Sequence, residues 1–264
     1  MKLIAALTAK NEEWIIGKTL EVLSKFCDKI IILDDNSNDK TEDICKSFEK
    51  VEWNVRKKRE NIWDRNEAEG LNECFHLAAK HNPEYILMLD ADEIPTPNFI
   101  NFFNKIDKSI NAWSVRFVNL FKDEIHYRTD NFKTIHGVNI NNDPFLNNGW
   151  RKTILVKYDK KYNYTYNFNI QKGGTSKFHP SPQNIPNPIV NTEDFFIVHY
   201  GKINPTYISG EKDNFYALIE HKDGKGSLEE RIRHHELCRT GAGPNGPEYV
   251  ECSKEWFWNE TNML

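Results

Sequence analysis

Residues 87–95 read LMLDADEIP. Leu87, Met88 and Leu89 have the character of a buried strand, yet the next four positions hold Asp90, Asp92 and Glu93. Acids are costly to bury without partners. A strand ending this way must leave the core and open onto a polar cleft, and the segments around it decide what kind of sheet it belongs to.

Upstream, apolar runs alternate with helical spacing. Residues 2–7 predict a first strand, and residues 11–26 a helix with Ile16, Leu20 and Leu23 on one side. The continuous run KIIIL at 29–33 predicts a second strand, followed by a polar DDNSNDKT. A helix over 41–49, a weaker strand over 51–55 and a helix over 64–80 lead to the strand at 85–89. The last of these helices carries Leu71, Cys74, Phe75 and Ala78 as its stripe. Strands alternating with helices of this length imply βαβ units, a mainly parallel sheet and right-handed crossovers. No strand is followed by GxGxxG or GxxxxGK[ST], which removes the dinucleotide fingerprint and the P-loop.

After Pro95 the pattern loosens. Residues 97–106 predict a helix, and 113–121, 150–158 and 195–200 predict strands, separated by Asn-rich loops and the irregular SPQNIPNP. From about residue 209 the chain is charged and helical. It breaks at GAGPNGP before an aromatic tail, KEWFW, for which packing on the domain is the leading expectation and a dimer contact or a peripheral membrane contact the alternatives.

Composition narrows the partners. The 264 residues carry 35 Lys and Arg against 39 Asp and Glu, a net charge of -4, so there is no basic footprint for nucleic acid. The five cysteines show no CxxC pair, which argues against a disulfide framework or zinc site and for a reducing, cytoplasmic setting. The opening MKLIAALTA reads as a buried strand instead of a signal peptide. No stretch approaches the roughly 20 apolar residues needed to span a bilayer.

Ligands of open parallel sheets bind beyond the carboxyl ends of the strands. Here the first strand delivers Thr8 and then Asn11 and Glu12, the second Asp34 and Asp35, and the fourth Asp90-Ala91-Asp92. One such end is an ordinary turn or helix cap; three on one sheet suggest a site. Two carboxylates at this spacing suit Mg²⁺ or Mn²⁺, an ion able to neutralise a departing diphosphate.

The succession LTAKNEE, IILDDNSNDKT, DRNEAEGLN and ILMLDADE resembles glycosyltransferase family 2 with the GT-A fold, continuously over about residues 3–97, with VHYG near residue 200 as a further match. The resemblance implies an α/β protein with a mainly parallel sheet flanked by helices. A Rossmann-like nucleotide-sugar-binding half would occupy 1–97, an acceptor half 98–205 and a helical extension 206–264. It implies that Thr8, Asp34 and Asp35 hold the base and ribose of a nucleoside diphosphate sugar, UDP-linked for preference, with Arg65 on base or phosphate. Asn11, Glu12 and Ala91 would line that donor site. Asp90 would contact ribose or metal, Asp92 would bind Mn²⁺ or Mg²⁺, and His199 would complete the metal shell. The acceptor, glycan, lipid or protein, is left open.

An inverting transfer needs a base within reach of the acceptor hydroxyl. Asp194 and His179 are the candidates, with Asp143 a third; Pro180 breaks the acidic pair expected after His179. Two rival readings stand beside the transferase. One is a sugar-nucleotide-binding module without turnover. The other is a haloacid-dehalogenase-like phosphatase, disfavoured because Ile94 stands at the fifth position of its DxDx[TV] motif.

Overall fold

The computed structural model describes residues 1–58, 67–133, 139–145, 151–165, 181–222, 224–241 and 246–259. In chain order the strands begin with β1 (Leu3–Ala9), β2 (Lys29–Asp34), β3 (Val51–Val55), β4 (Tyr85–Asp90) and β5 (Glu93–Pro95). They continue with β6 (Ala112–Asn119), β7 (His126–Arg128), β8 (Asn131–Lys133), β9 (Asn139–Asn141) and β10 (Arg151–Lys157). The last are β11 (Asn163–Thr165), β12 (Ser181–Gln183), β13 (Ile189–Asn191), β14 (Ile197–His199) and β15 (Tyr249–Glu251). The helices are α1 (Ile16–Leu23), α2 (Thr41–Lys46), α3 (Glu67–Ala79), α4 (Asn98–Asn104), α5 (Pro205–Ile208), α6 (Glu211–Lys222) and α7 (Leu228–Thr240).

The chain divides into two compact units, residues 1–115, 151–197 and 257–264 in one, and 116–150 and 198–256 in the other. The first unit is built on the sheet order β3-β2-β1-β4-β10. Pairings β1–β2, β2–β3 and β1–β4 are parallel, and β10 runs antiparallel to β4. This is the α/β, mainly parallel, helix-flanked arrangement expected from the sequence, in keeping with a GT-A type fold.

Burial explains why these strands are so apolar. Leu3, Ile4, Ala5, Ala6 and Leu7 are wholly buried, as are Ile30, Ile31 and Ile32. Strands covered on both faces lose the polar alternation of half-exposed ones. On one face Ile4, Ala6, Ile31, Leu33, Ile86 and Met88 pack with Leu71, Cys74, Phe75 and Ala78 of α3, the stripe predicted for that helix. Truncating a side chain like Phe75, only 1% exposed, costs about 3–5 kcal/mol. A second aromatic cluster is made by Phe99 of α4, Phe195 and Phe26, with Phe99–Phe195 centroids 5.0 Å apart and edge-on. The tail joins it: Trp258 stacks on Phe26 and donates its indole N–H to the Pro95 carbonyl at 2.7 Å.

Helix α1 starts at Ile16, five residues later than the helical spacing predicts. The segment before it is drawn into hydrogen bonds with the β2–α2 loop, described below. Likewise α2 ends at Lys46 instead of reaching Glu49.

In the second unit, polar groups fasten both ends of α7. Helix α7 starts with a capping box: Ser227 Oγ accepts from the Glu230 N–H at 3.2 Å, and the Glu230 carboxylate accepts from the Ser227 N–H at 2.9 Å. At the other end of α7, the fully buried Arg128 forks onto Asp130, with both bonds at 2.6 Å, and donates to the Cys238 carbonyl at 2.9 Å. Arg128 therefore satisfies a helix-terminal carbonyl and complements the dipole there. Gly241, at φ 78°, ends the helix in the left-handed region; a Cβ there would stand 3.0 Å from the Arg128 guanidinium.

Candidate functional site

Three neighbouring strands of the first unit deliver polar side chains at one end of the sheet. Along β1, Ile4 and Ala6 face the α3 cluster, and the alternation of a strand sends Thr8 to the same face. Along β4 the same holds for Ile86, Met88 and then Asp90, and Thr8 and Asp90 are direct register partners. The antiparallel β10 pairs Leu155 with Leu87 and Val156 with Ile86; continued to the strand end, this register sets Lys152 opposite Asp90. The buried face thus ends in a row of Thr8, Asp90 and Lys152.

That row is hydrogen-bonded. Thr8 Oγ1 donates to Asp90 Oδ1 at 3.0 Å, and the Lys152 ammonium donates to Asp90 Oδ2 at 3.1 Å. Lys152 also donates to both carboxylate oxygens of Glu93 at 3.0 Å. Glu93 accepts in turn from the Asp90 backbone N–H at 2.9 Å, closing the turn between β4 and β5. Glu93 is only 3% exposed, which its pairing with a cation makes tolerable, whereas the Asp90 side chain is 45% exposed. Burial pulls the Lys152 ammonium pKa down, but the charges of Asp90 and Glu93 and their hydrogen bonds outweigh it, and the net direction is upward. Lys152 is therefore a firmly held cation.

Asp92, 8% exposed, lies in the same turn. The turn is pinned to α1 by Thr19, whose hydroxyl donates to the Ala91 carbonyl at 2.7 Å.

The loops after β1 and β2 are laced together. The Asn11 N–H donates to Ser37 Oγ at 2.8 Å, and the Asn38 N–H returns a bond to Asn11 Oδ1 at 2.9 Å. The Glu12 N–H donates to Thr41 Oγ1 at 2.8 Å, and Glu12 takes the Trp14 indole N–H on its carboxylate. Asn11 adopts φ 53°, a left-handed conformation that Asn tolerates better than most residues. Asp34 is 2% exposed, and its carboxylate caps the turn that follows by accepting from the Ser37 N–H at 2.8 Å and from the Ser37 hydroxyl. The Asp35 backbone N–H donates to the Ala9 carbonyl, and the Asp35 carbonyl accepts from the Lys10 ammonium at 2.7 Å.

Thr8 and Asp90 are thus in contact, and Asn11, Glu12, Asp34 and Asp35 are tied into adjoining loops. Arg65 and His179 lie outside the described residues. Asp194 is exposed in the first unit, where Thr192 Oγ1 donates to it at 3.0 Å; its neighbour Glu193 pairs with Arg151. His199 and Asp143 belong to the second unit. There the His199 Nδ1 meets Asn119 Oδ1 and the ring lies edge-on to Phe117, while Asp143 caps the Phe145 N–H at 2.8 Å.

The oxygen donors of Asp90 and Asp92 are of the kind a hard divalent ion takes. Among the described residues, however, no three His, Cys, Asp or Glu side chains are grouped to hold a metal, and Lys152 already lies on Asp90 and Glu93. Sequence reasoning missed Lys152. In WRKTILVKY it looks like one more polar residue of a half-buried strand. The available signal was the period of two from Val156 and Ile154 back to Lys152, combined with antiparallel pairing to β4, which the sequence alone does not reveal.

Among curated proteins, uncharacterized proteins of Mycobacterium bovis and Mycobacterium tuberculosis are each 31% identical to this chain over 96 residues. The match takes in 35% of this chain and 23% of theirs, so the chain spans about a quarter of the length of the curated relatives it matches. Among solved structures, S. aureus TarS 1-349 in complex with UDP aligns over 88% of this chain and 68% of its own, at 11% identity and a TM-score of 0.45. Glucosyl-3-phosphoglycerate synthase from Mycobacterium tuberculosis, in complex with Mn²⁺, UDP and phosphoglyceric acid, aligns over 45% of this chain and 43% of its own, at 22% identity and a TM-score of 0.34. Likenesses this distant do not bear on substrate. The family model is decisive: the model described as Glycosyl transferase family 2 matches residues 5–172, more than half of the chain, and the chain belongs to that family.

Proposed function

We propose that the chain is a nucleotide-sugar glycosyltransferase that moves a sugar from a nucleoside diphosphate, UDP for preference, to an acceptor hydroxyl with inversion. The observation that carries this reading is the convergence of Thr8, Asp34 and Asp90 at the carboxyl ends of β1, β2 and β4, in a chain of this family. In this reading residues 1–97 form the donor half, with Asp34, Asp35 and Arg65 on base, ribose or phosphate. Residues 98–205 contribute to the acceptor side.

The acceptor oxygen attacks the anomeric carbon from the face opposite the diphosphate. The carbon–oxygen bond to the diphosphate breaks, and its electron pair stays on the departing phosphate oxygen. The acceptor proton passes to a carboxylate, for which Asp194 is the candidate within the described residues of the first unit. Asp90 and Asp92 are the residues that would hold Mn²⁺ or Mg²⁺, and such an ion, when bound, supplies positive charge to the leaving diphosphate. Thr8 fixes the rotamer of Asp90 through its hydroxyl. A donor site of preorganised charge lowers the barrier because no reorganisation is needed at the moment of reaction.

The test is a panel of nucleoside diphosphate sugars incubated with and without Mn²⁺, followed by release of the nucleotide. The native protein is expected to release nucleotide from one class of donor, and Asp92→Asn to lose that turnover while still unfolding cooperatively. No release from any donor, across a broad acceptor panel, would contradict the reading.

A further inference from the structure

The Lys152 ammonium lies within 3.1 Å of Asp90 Oδ2 and 3.0 Å of both Glu93 oxygens. These carboxylates flank Asp92 in a single turn, so the turn already has a cation of its own. Lys152 is delivered by the backbone register of β10 against β4, and its side chain is only 21% exposed. A cation placed by a sheet register is not an incidental surface contact. An exposed ion pair is worth little, but here one partner, Glu93, is almost wholly buried, and the lysine is a cation hydrogen-bonded to both of its carboxylate oxygens.

We propose that Lys152 is a positioning residue that serves as the resident counter-ion of this turn and sets its affinity for divalent cations. The inference rests on the functional reading above, in which Asp90 takes part in binding a metal ion. A divalent ion approaching Asp90 meets like charge from the ammonium, and to use Oδ2 it must displace a hydrogen-bonded partner. Lys152 thereby keeps metal affinity low until a second anion, the diphosphate of the donor, adds its own negative charge. Neutralising Lys152 removes the competing positive charge from beside the Asp90 and Glu93 carboxylates.

The experiment measures binding of Mn²⁺ alone, without nucleotide, by the electron paramagnetic resonance signal of free Mn²⁺. Lys152→Met is expected to bind Mn²⁺ at least about tenfold more tightly than the native protein, and Lys152→Arg, which keeps the charge, to stay close to native. Unchanged or weaker binding by Lys152→Met, no measurable binding by either protein, or an equal gain in Lys152→Arg would overturn the proposal. A measurement on the native protein does not depend on the variants folding. The ordered Lys152 ammonium should give a ¹H–¹⁵N signal that moves as Mg²⁺ saturates the site, and a signal that stays in place contradicts displacement. UDP binding by the native protein is followed in parallel. If UDP binds but Lys152→Met gains no metal affinity, the counter-ion role fails and the transferase reading stands. If the metal response appears but no sugar nucleotide binds, the transferase reading fails instead.

Discussion

Thr8 and Asp90 are register partners on adjacent parallel strands, and the Thr8 hydroxyl donates to the Asp90 carboxylate at 3.0 Å although 82 residues separate them in the chain. The contact joins the ends of β1 and β4 and fixes which carboxylate oxygen remains beside Lys152.

Thr8→Val keeps the shape of the side chain and removes the hydroxyl. It is expected to lower stability by about 1 kcal/mol, the net worth of one such hydrogen bond. Urea unfolding measures this directly; an unchanged midpoint would show that the hydroxyl does not hold Asp90 in solution.

Asp130→Asn leaves Arg128 buried without its charge partner. Breaking a buried pair on one side costs about 3 kcal/mol or more. The carbonyls at the end of α7 depend on the same guanidinium, so amide hydrogen exchange should quicken in α7 and β7. A loss below about 1 kcal/mol would mean that the pair is well solvated.

Glu220 supplies a pH signature. Burial raises its pKa, but the hydrogen bond from His235 and the charges of Lys225 and His235 outweigh this and lower it from 4.5 to about 2. A carboxylate whose folded pKa lies below its unfolded value stabilises the fold above the unfolded value. That contribution disappears as pH falls from about 4.5 towards about 2. Stability measured by denaturant should decline through that window, and Glu220→Gln should flatten the decline; an identical slope in the variant would remove Glu220 as its source.

Much of the first unit was legible in the sequence because its signals are local. The interiors of the runs LIAALTA, KIIILD and YILMLD are apolar because both faces of the central strands are covered, and the α3 stripe follows from helical spacing. The polar residues at the strand ends were legible for the same reason, since a buried run that ends in acids has to emerge where water or a counter-charge can meet them. What was hidden depends on pairing between distant segments. Lys152 meets Asp90 only because β10 runs antiparallel beside β4, and no residue in WRKTILVKY announces that register. The late start of α1 was hidden too, because Asn11 and Glu12 fit helical spacing but are captured by Ser37 of the β2–α2 loop and Thr41 at the start of α2. Trp258 likewise finds Pro95 across 163 residues.

The central claim is that the ends of β1, β2 and β4 bind a nucleoside diphosphate. Isothermal titration calorimetry of UDP against the native protein and Asp90→Asn tests it most directly. Saturable binding to the native protein is expected, weakened at least about tenfold in the variant, a difference of roughly 1.4 kcal/mol. Absence of binding to the native protein, or equal affinity in the two, would contradict it.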